Sequence, residues 1–343
     1  MQTQIEDIAI DPELLPGAAN ALDVCLRLKK NERITIITDL ESLEISASLI
    51  HEVRKIGAPY QVFVLEEHSV RPLKDMPQPI LDSLRRSQVS IFACKVQTGE
   101  LGSRIQMTKV VNEKKLRHAH MVNISKQIMK EGMRADYNTV DKLSTILVEK
   151  AKKAKTIRAK SKGGTDILAE FSPKLHWLKT SGIISPEKWG NLPGGEIFTA
   201  PLNVEGRFVV DGVVGDFLCD KYGDLQSAPL YIDIAGNRIK NIESTNKELL
   251  QDMLNYVTTD ENSNRVGEFA IGTNIALTHL IGNILQDEKF PGIHIAFGHP
   301  YAEHTGADWL STTHIDCVGR DFDIWMDDEQ VMREGTFLVK IPS

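Results

Sequence analysis

The sequence lacks several features that would place it in a common class of protein. Its 343 residues contain no apolar run close to the roughly 20 residues that a membrane-spanning helix needs. The N-terminal segment has neither a basic start nor an apolar core, so it does not resemble a secretory signal. Positive charge is also in the minority, since 40 lysines and arginines stand against 47 aspartates and glutamates and leave a net charge of −7. These absences argue against a membrane protein and against a dedicated nucleic-acid binder.

Cysteine is rare, and no two cysteines are close together in the sequence. Cys25, Cys94, Cys219 and Cys317 are widely scattered and form no CxxC pair. This pattern is typical of reduced, buried thiols and predicts a cytoplasmic protein. The glycine motifs that hold phosphate groups are missing as well, because neither GxGxxG nor GxxxxGK[ST] follows the first expected strand, Arg33–Asp39.

The first half of the chain predicts an open parallel α/β sheet. Strand Arg33–Asp39, helix Ile45–Ile56 closed by Gly57, and strand Tyr60–Glu66 form a βαβ unit with a right-handed crossover. The same helix-then-strand rhythm is expected in two further pairs, Ile80–Arg86 with Val89–Cys94 and Lys109–Ala119 with Met121–Ile124. An amphipathic helix is expected over Thr139–Lys155. Near the end of the Lys109–Ala119 helix, His118 and His120 are expected to form a solvated or interface patch.

The second half changes character after Gly163 and Gly164. Short alternating runs separated by turns predict a β-rich α+β domain, with a hairpin connection at Asp233–Arg238. Helices are expected over Lys247–Tyr256 and over Thr273–Leu285, which would place His279 near the middle of the second. The expected domains are therefore an α/β domain over residues 1–160 and a β-rich, metal-binding domain over residues 161–343.

Histidines and carboxylates concentrate in the stretch Val266–Gly319, which holds five of the ten histidines. Its tightest unit is His314-Ile315-Asp316, and in a strand the two outer side chains project to the same face. An imidazole beside a carboxylate favours a divalent ion such as zinc, cobalt, manganese or iron. Cys317 follows directly and should point to the opposite face, away from Asp316. Two other histidines of this stretch, His299 and His304, either line the pocket or lie in an exposed loop, and the loop is favoured.

Four segments of the second half carry a resemblance to a known family. They are LPGGEIFTAP at Leu192–Pro201, GEFAIGTN at Gly267–Asn274, GIHIAFG at Gly292–Gly298 with Tyr301 beyond it, and His314-Ile315-Asp316. Together they resemble the thermophilic aminopeptidase family of metallopeptidases, also called the aminopeptidase T or leucyl aminopeptidase-like group. The resemblance covers about residues 185–320.

The resemblance implies a centre of two divalent ions, zinc, cobalt or manganese, that activates water to release N-terminal residues from short peptides. Glu268 matches the family's bridging carboxylate, and the matches to its terminal ligands are Glu196, His294, His314 and Asp316. Glu288 and Tyr301 match groups that assist catalysis, although Glu288 lies six residues before His294, one more than the family's spacing. The expected partners are a small peptide or other small molecule and a second copy of the chain, forming a homodimer.

A second function from another reaction class is an iron(II)-dependent ring-cleaving dioxygenase. Dihydroxypyridine dioxygenases resemble the same family and use a site of two histidines and one carboxylate with open positions. In that branch the position of Glu268 is a histidine, so the glutamate here, together with His294, favours the hydrolytic arrangement. A third possibility, a non-catalytic binding protein, would require the whole ligand set to be accidental.

Overall fold

The computed structural model describes residues 5–342. The strands are β1 (Ile34–Thr38), β2 (Tyr60–Val64), β3 (Val89–Cys94), β4 (Arg117–Val122), β5 (Thr156–Ser161), β6 (Asp166–Glu170), β7 (Leu178–Thr180), β8 (Gly190–Asn191), β9 (Glu196–Thr199), β10 (Asn203–Val210), β11 (Leu230–Ala235), β12 (Arg238–Glu243), β13 (Val266–Gly272), β14 (Gly292–Gly298), β15 (His314–Val318), β16 (Phe322–Met326), β17 (Glu329–Arg333) and β18 (Thr336–Phe337). The α-helices are α1 (Leu15–Ala19), α2 (Leu43–Ile56), α3 (Gln78–Arg85), α4 (Leu101–Lys114), α5 (Lys126–Lys130), α6 (Tyr137–Ala151), α7 (Asp216–Tyr222), α8 (Lys247–Val257), α9 (Ile284–Asp287) and α10 (Ala302–Thr305). Among these described residues, no helix has the length and apolarity that a membrane crossing requires.

The chain forms two compact units. The first comprises the residues up to Asn138 together with Gly182–Gly194, and the second comprises Thr139–Ser181 together with the chain from Gly195 onwards. The boundary expected from the sequence falls at residue 160, after α6 and most of β5, whereas the observed division falls in the first turn of α6. The reason is that Leu143 and Leu147 of α6 belong to the hydrophobic core of the second unit.

The first unit is built on a parallel sheet of strand order β2-β1-β3-β4-β8. The predicted βαβ unit is confirmed: β1 is buried along its whole length, and α2 ends at Ile56 and is capped by Gly57, which has a left-handed φ of 79°. The predicted boundary between Lys109–Ala119 and Met121–Ile124 is wrong. Helix α4 ends earlier, because Lys115 adopts a left-handed conformation, and β4 begins at Arg117.

The prediction of a solvated or interface patch at His118 and His120 is also wrong. Both residues lie on β4, an interior strand of the sheet, and are 0% and 7% exposed. The Nδ1 of His118 lies 2.8 Å from the hydroxyl of Ser90, its Nε2 lies 3.1 Å from Nδ1 of His120, and the ring of Trp189 packs beside both. Burial lowers the pKa of His118 to about 3, so this pair is neutral core.

The side chain of Arg71 occupies the edge of the parallel sheet at the carboxyl ends of the strands, where such sheets usually bind ligands. Asp39 directly follows β1, and its Oδ2 accepts hydrogen bonds from Nη1 of Arg71 at 2.9 Å and from the amide of Lys95 at 2.6 Å. The side chain of Arg71 is 4% exposed and also pairs with Glu100 at 2.6 Å and Glu66 at 3.1 Å. This network pairs the carboxylate of Asp39 and the amide of Lys95, which directly follow β1 and β3.

The second unit contains two antiparallel sheets that share one hydrophobic core. The larger sheet has the order β12-β11-β10-β6-β5-β16-β17-β18, and the smaller has the order β15-β14-β13-β9-β7. The predicted hairpin is confirmed, with Gly236 and Asn237 as a two-residue turn of positive φ between β11 and β12. The predicted fold class, a parallel α/β sheet followed by a β-rich α+β part, is therefore confirmed.

The helix expected over Thr273–Leu285 does not form. The segment is irregular until the short helix α9 begins at Ile284, and His279 lies exposed within the irregular part. The carboxylate of Asp287 accepts hydrogen bonds from the amides of Ile281 and Gly282, and thereby satisfies backbone groups that a helix would have paired internally. The hydrogen bonds to Asp287 therefore stabilise an irregular backbone in a segment whose apolar spacing predicts a helix.

Candidate metal centre

One face of the smaller antiparallel sheet carries the candidate site. Alternate residues of β13, β14 and β15 point into the hydrophobic core, among them Phe269, Ile295 and Ile315. The intervening residues point to the opposite face, where the predicted ligands are brought together: Glu196, Glu268, His294, His314 and Asp316. As predicted, Cys317 points away from this face and into the core.

A small residue stands directly opposite each of these side chains on a neighbouring strand. Glycines stand opposite Glu196 and His314, and alanines stand opposite the other three: the pairs are Gly272 with Glu196, Ala296 with both Glu268 and Asp316, Ala270 with His294, and Gly298 with His314. Side chains directly opposite each other in antiparallel strands compete for the same space on their shared face. The small partners leave that space to the carboxylates and imidazoles.

A β-bulge at Gly267 determines which side chains of β13 point to the site face. Val266 pairs with Phe297 on the core face, whereas Glu268, two residues later, pairs with Ala296 on the site face. In a regular strand Val266 and Glu268 would share a face, so the extra residue is what turns Glu268 towards the other ligands. Glycine is required there, because a Cβ atom would lie 2.4 Å from the carbonyl oxygen of Gly298.

The side-chain heads lie close enough to share an ion. Ligand atoms of Glu196, Glu268 and His294 all lie within 4.8 Å of one another. The Nε2 of His294 lies 3.3 Å from Glu268 and 3.6 Å from Glu196, and the Nε2 of His314 lies 3.3 Å from Asp316 and 3.9 Å from Glu268. Carboxylates and imidazoles in this arrangement are the donors that zinc, manganese, cobalt and iron take in proteins, so the residues fit a divalent ion.

A backbone carbonyl orients His314. The Nδ1 of its ring donates a hydrogen bond of 2.9 Å to the carbonyl oxygen of His299, which leaves Nε2 free to face Asp316 and Glu268. Hydrogen bonding of the distal ring nitrogen to a carbonyl is the usual way in which a ligating histidine is held in the correct tautomer. His299 thus contributes its backbone to the site, and His304 lies exposed on the short helix α10.

The carboxylates and imidazoles shift each other's pKa in opposite directions. Burial alone would lower the pKa of His314, but the charge of Asp316 outweighs it and raises the pKa to about 10. In the same way, the hydrogen bond to Glu268 and the charge of Glu196 outweigh burial and raise the pKa of His294 to about 9. The two imidazoles in turn overcome the effect of burial on Asp316 and lower its pKa to about 2. The residues behave as one electrostatic unit.

Lys289 is a member of the site that the sequence analysis missed. Its side chain is 1% exposed, and Nζ lies 2.7 Å from Oε1 of Glu196 and 2.5 Å from Oε1 of Glu288. The same Oε1 of Glu196 accepts a hydrogen bond of 2.8 Å from the hydroxyl of Thr180. A signal was present in the sequence, since the position five residues before His294, where the family resemblance implies a glutamate, is Lys289.

The two expected catalytic residues lie at the rim of this cluster. Burial raises the pKa of Glu288, although Lys289 opposes the shift. The ring of Tyr301 packs on that of His314 with centroids 4.8 Å apart, and its backbone is left-handed at φ 49°. Tyr301 is 37% exposed, yet desolvation around its hydroxyl and the charge of Glu268 raise the hydroxyl's pKa well above its ordinary value. The left-handed backbone of Tyr301 is energetically costly for a non-glycine residue, and such strained residues are typical of functional sites.

Two solved structures have the same fold as this chain. Among solved structures, wild-type AmpT from Thermus thermophilus superposes with a TM-score of 0.70 at 17% identity, covering 96% of this chain and 100% of that one. The 2,5-dihydroxypyridine dioxygenase from Pseudomonas putida superposes with a TM-score of 0.69 at 15% identity, covering 95% of this chain and 97% of that one. At these identities the likeness shows the fold alone. No curated protein sequence matches this chain significantly.

The family comparison is decisive where the structural one is not. The model of the thermophilic metalloprotease (M29) family matches residues 118–320, which is more than half of the chain and includes all the residues that converge on the site. This chain therefore belongs to the thermophilic metalloprotease (M29) family.

Proposed function

We propose that the protein is a metal-dependent aminopeptidase that releases N-terminal residues from short peptides. The observation that carries the proposal is the convergence of three carboxylates and two imidazoles on one sheet face, in a chain of a metalloprotease family. Their side chains would hold a zinc, cobalt or manganese ion, and the resemblance implies two such ions. A divalent ion in such a site lowers the pKa of water and polarises a substrate carbonyl.

The chain's own residues supply proton transfer and charge stabilisation. Glu288 is a half-buried carboxyl beside the ligands, and a raised pKa brings a carboxyl closer to the working range of a general acid or base at neutral pH. Tyr301 keeps its hydroxyl proton because its pKa is raised, and it can donate a hydrogen bond to an oxyanion developing on the substrate. We assign Glu288 to proton transfer and Tyr301 to oxyanion stabilisation.

An iron(II)-dependent ring-cleaving dioxygenase is the second candidate, favoured by the nearly equal likeness to the dihydroxypyridine dioxygenase fold. The chemistry of Glu268 speaks against it. A carboxylate at this position adds negative charge to Glu196 and Asp316 and favours a Lewis-acid ion for hydrolysis, whereas a facial iron site needs two histidines and one carboxylate.

A single screen separates the two functions. The protein, reconstituted with zinc, cobalt, manganese or, under anaerobic conditions, iron(II), is assayed against aminoacyl amides, short peptides and hydroxylated pyridines while oxygen uptake is recorded. We expect release of N-terminal residues without oxygen uptake, and loss of metal and hydrolysis in Glu268→Gln. Stoichiometric oxygen consumption with a pyridine substrate, preserved in Glu268→His, would overturn the aminopeptidase proposal.

We further propose that the protein acts as a cytoplasmic homodimer. The location is supported by all four cysteines, which are buried free thiols of the kind that a reducing compartment maintains. The dimer is supported by the family resemblance, since substrate clefts of such enzymes are often closed by a second copy. Light scattering at micromolar concentration should give twice the chain mass of 38.3 kDa, and a monomeric mass would remove this part of the proposal.

A further inference from the structure

Lys289 places a fixed positive charge inside the candidate metal centre. Its Nζ lies 2.7 Å from Glu196 and 2.5 Å from Glu288, and only 1% of its side chain is exposed. The two carboxylates come from different elements, because Glu196 begins β9 and Glu288 directly follows α9. The ammonium therefore bridges two carboxylates in the way that a metal ion in a carboxylate-rich centre does.

A divalent ion cannot share this position with the ammonium. Two cations between the same pair of carboxylates repel each other strongly where water is excluded. The enclosed stem of Lys289 prevents the charge from moving out to solvent, and its backbone is held by hydrogen bonds from its amide to Gln286 and from Asn274 to its carbonyl. The position between Glu196 and Glu288 is thus already filled by a cation of the protein.

The remaining donors form one set around a second position. Oε1 of Glu196 is engaged by Lys289 and Thr180, whereas Oε2 faces His294 at 3.6 Å. Glu268 lies next to both His294 and His314, and Asp316 lies 3.3 Å from His314. These five protein donors leave one position open on an ion that takes six ligands, such as Mn²⁺.

Formal charge limits the number of cations that the cluster can balance. The carboxylates of the cluster, Glu196, Glu268, Glu288 and Asp316, carry at most four negative charges. One divalent ion with Lys289 supplies three positive charges, whereas two ions with Lys289 supply five. The cluster would then carry a net charge of −1 with one ion and +1 with two, so the position of the Lys289 ammonium, and not charge balance, decides the number of ions.

We propose that the Lys289 ammonium replaces the second ion, so that each chain binds one divalent ion through Glu268, His294, His314, Asp316 and the Oε2 of Glu196. This inference rests on the metal centre of the proposed function and changes the expected stoichiometry from two ions to one. Lys289 is then a positioning residue that neutralises Glu196 and Glu288 and directs Glu196 towards the ion.

Metal stoichiometry tests the proposal on the intact protein. The chain is dialysed to equilibrium against Mn²⁺ and, separately, Zn²⁺, and bound metal is measured by inductively coupled plasma mass spectrometry. We expect one tightly bound ion per chain and the hyperfine-resolved electron paramagnetic resonance signal of an isolated Mn²⁺. Two ions per chain, or the spectrum of an exchange-coupled manganese pair, would overturn the proposal.

Substitution of the lysine provides the second test. Lys289→Met keeps an unbranched side chain one atom shorter and removes the charge, so Glu196 and Glu288 become available and the stoichiometry should rise to two ions. Lys289→Arg should keep one ion. A folded Lys289→Met protein that still binds one ion would show that the lysine does not fill a metal position, and Lys289→Gln carries the same test if the methionine variant does not fold.

Lys221 offers a matched control. Its Nζ also bridges two carboxylates, at 2.7 Å from Glu248 and 2.8 Å from Asp252, but the side chain is 36% exposed. Lys221→Met should leave metal stoichiometry unchanged. Because stoichiometry is measured without substrate, a protein that binds one ion but cleaves no peptide would count against the aminopeptidase proposal and leave this inference standing.

Discussion

The hydroxyl of Thr180 donates a hydrogen bond of 2.8 Å to Oε1 of Glu196, on the neighbouring strand of the same sheet. Oε1 is therefore satisfied by the protein, and Oε2 is the oxygen left to face His294. Hydrogen bonds of this kind hold a ligating carboxylate in place, and their loss typically costs about 10-fold to 100-fold in metal affinity. Thr180→Val should weaken Zn²⁺ binding by about tenfold, measured by competition with a chelating dye.

Thr199 gives the control for that measurement. It lies on the same strand as Glu196, but its hydroxyl donates at 2.9 Å to the carbonyl oxygen of His176. Thr199→Val removes a hydroxyl of the same size and should leave zinc affinity unchanged. Equal weakening in Thr180→Val and Thr199→Val would mean that the effect comes from a loosened strand and not from the Glu196 hydrogen bond.

His314 is the ligand whose removal should separate metal binding from folding. It is half-buried, so loss of its ring leaves a smaller packing defect than loss of the buried His294. His314→Ala should reduce metal affinity by about 100-fold or more and abolish hydrolysis. Loss of a residue that only hydrogen-bonds to a ligand costs up to about 100-fold, and loss of the ligand itself should cost at least as much. Circular dichroism should be unchanged. His304→Ala, an exposed histidine ten residues earlier, should retain metal, and unchanged metal content in His314→Ala would remove His314 from the ligand set.

Much of the site could be predicted because strand periodicity is local. The alternation in His314-Ile315-Asp316 places both ligands on one face, and the structure confirms that Cys317 faces the core. The bulge at Gly267 is different, since its effect depends on the register between β13 and β14, which no single segment specifies. Simple alternation from Val266, which faces the core, would place the side chain of Glu268 on the core face as well, whereas the bulge turns it to the site face.

Features that depend on contacts between distant segments could not be predicted. Lys289 is buried because Glu196, far away in the sequence, meets it, whereas a lone lysine after a glutamate usually lies in solvent. The expected helix over Thr273–Leu285 failed because Asp287 captures the amides of Ile281 and Gly282. His118 looked solvated because its neighbours on β3 and β8 are separated from it in the sequence.

The neutral pair His118 and His120 should make stability depend on pH. Burial lowers the pKa of His118 from 6.5 to about 3, and burial together with His118 lowers that of His120. In the unfolded chain both imidazoles take up protons as the pH falls below 6.5, whereas in the folded protein they do not, so the free energy of unfolding decreases through this window. The loss should reach about 2 kcal/mol per imidazole at about pH 5.

Urea unfolding of the intact protein, followed by near-ultraviolet circular dichroism between neutral pH and about pH 5, measures this dependence. His120→Phe removes one titrating group and keeps an aromatic ring stacked against Phe92, so the slope of unfolding free energy against pH should fall by the contribution of one imidazole, about 2 kcal/mol between neutral pH and about pH 5. His304→Phe, at an exposed position, should keep the full slope. A full slope in His120→Phe would show that other groups cause the acid sensitivity.

Ala296 and Ile295 are neighbours on β14 whose side chains face opposite sides of the sheet, and they allow site and core to be tested separately. Ala296 is buried and stands opposite both Glu268 and Asp316, so Ala296→Val places two methyl groups where those carboxylates converge. Metal affinity should fall by about 10-fold to 100-fold, as it does when ligands lose their supported positions.

Ile295 packs in the core, and Ile295→Val should lower the free energy of unfolding by about 1 kcal/mol without changing metal affinity. Competition with a chelating dye measures the zinc affinity of both variants, and urea unfolding measures their free energy of unfolding. If Ile295→Val weakens metal binding as much as Ala296→Val, the small residues opposite the ligands do not have the role assigned to them.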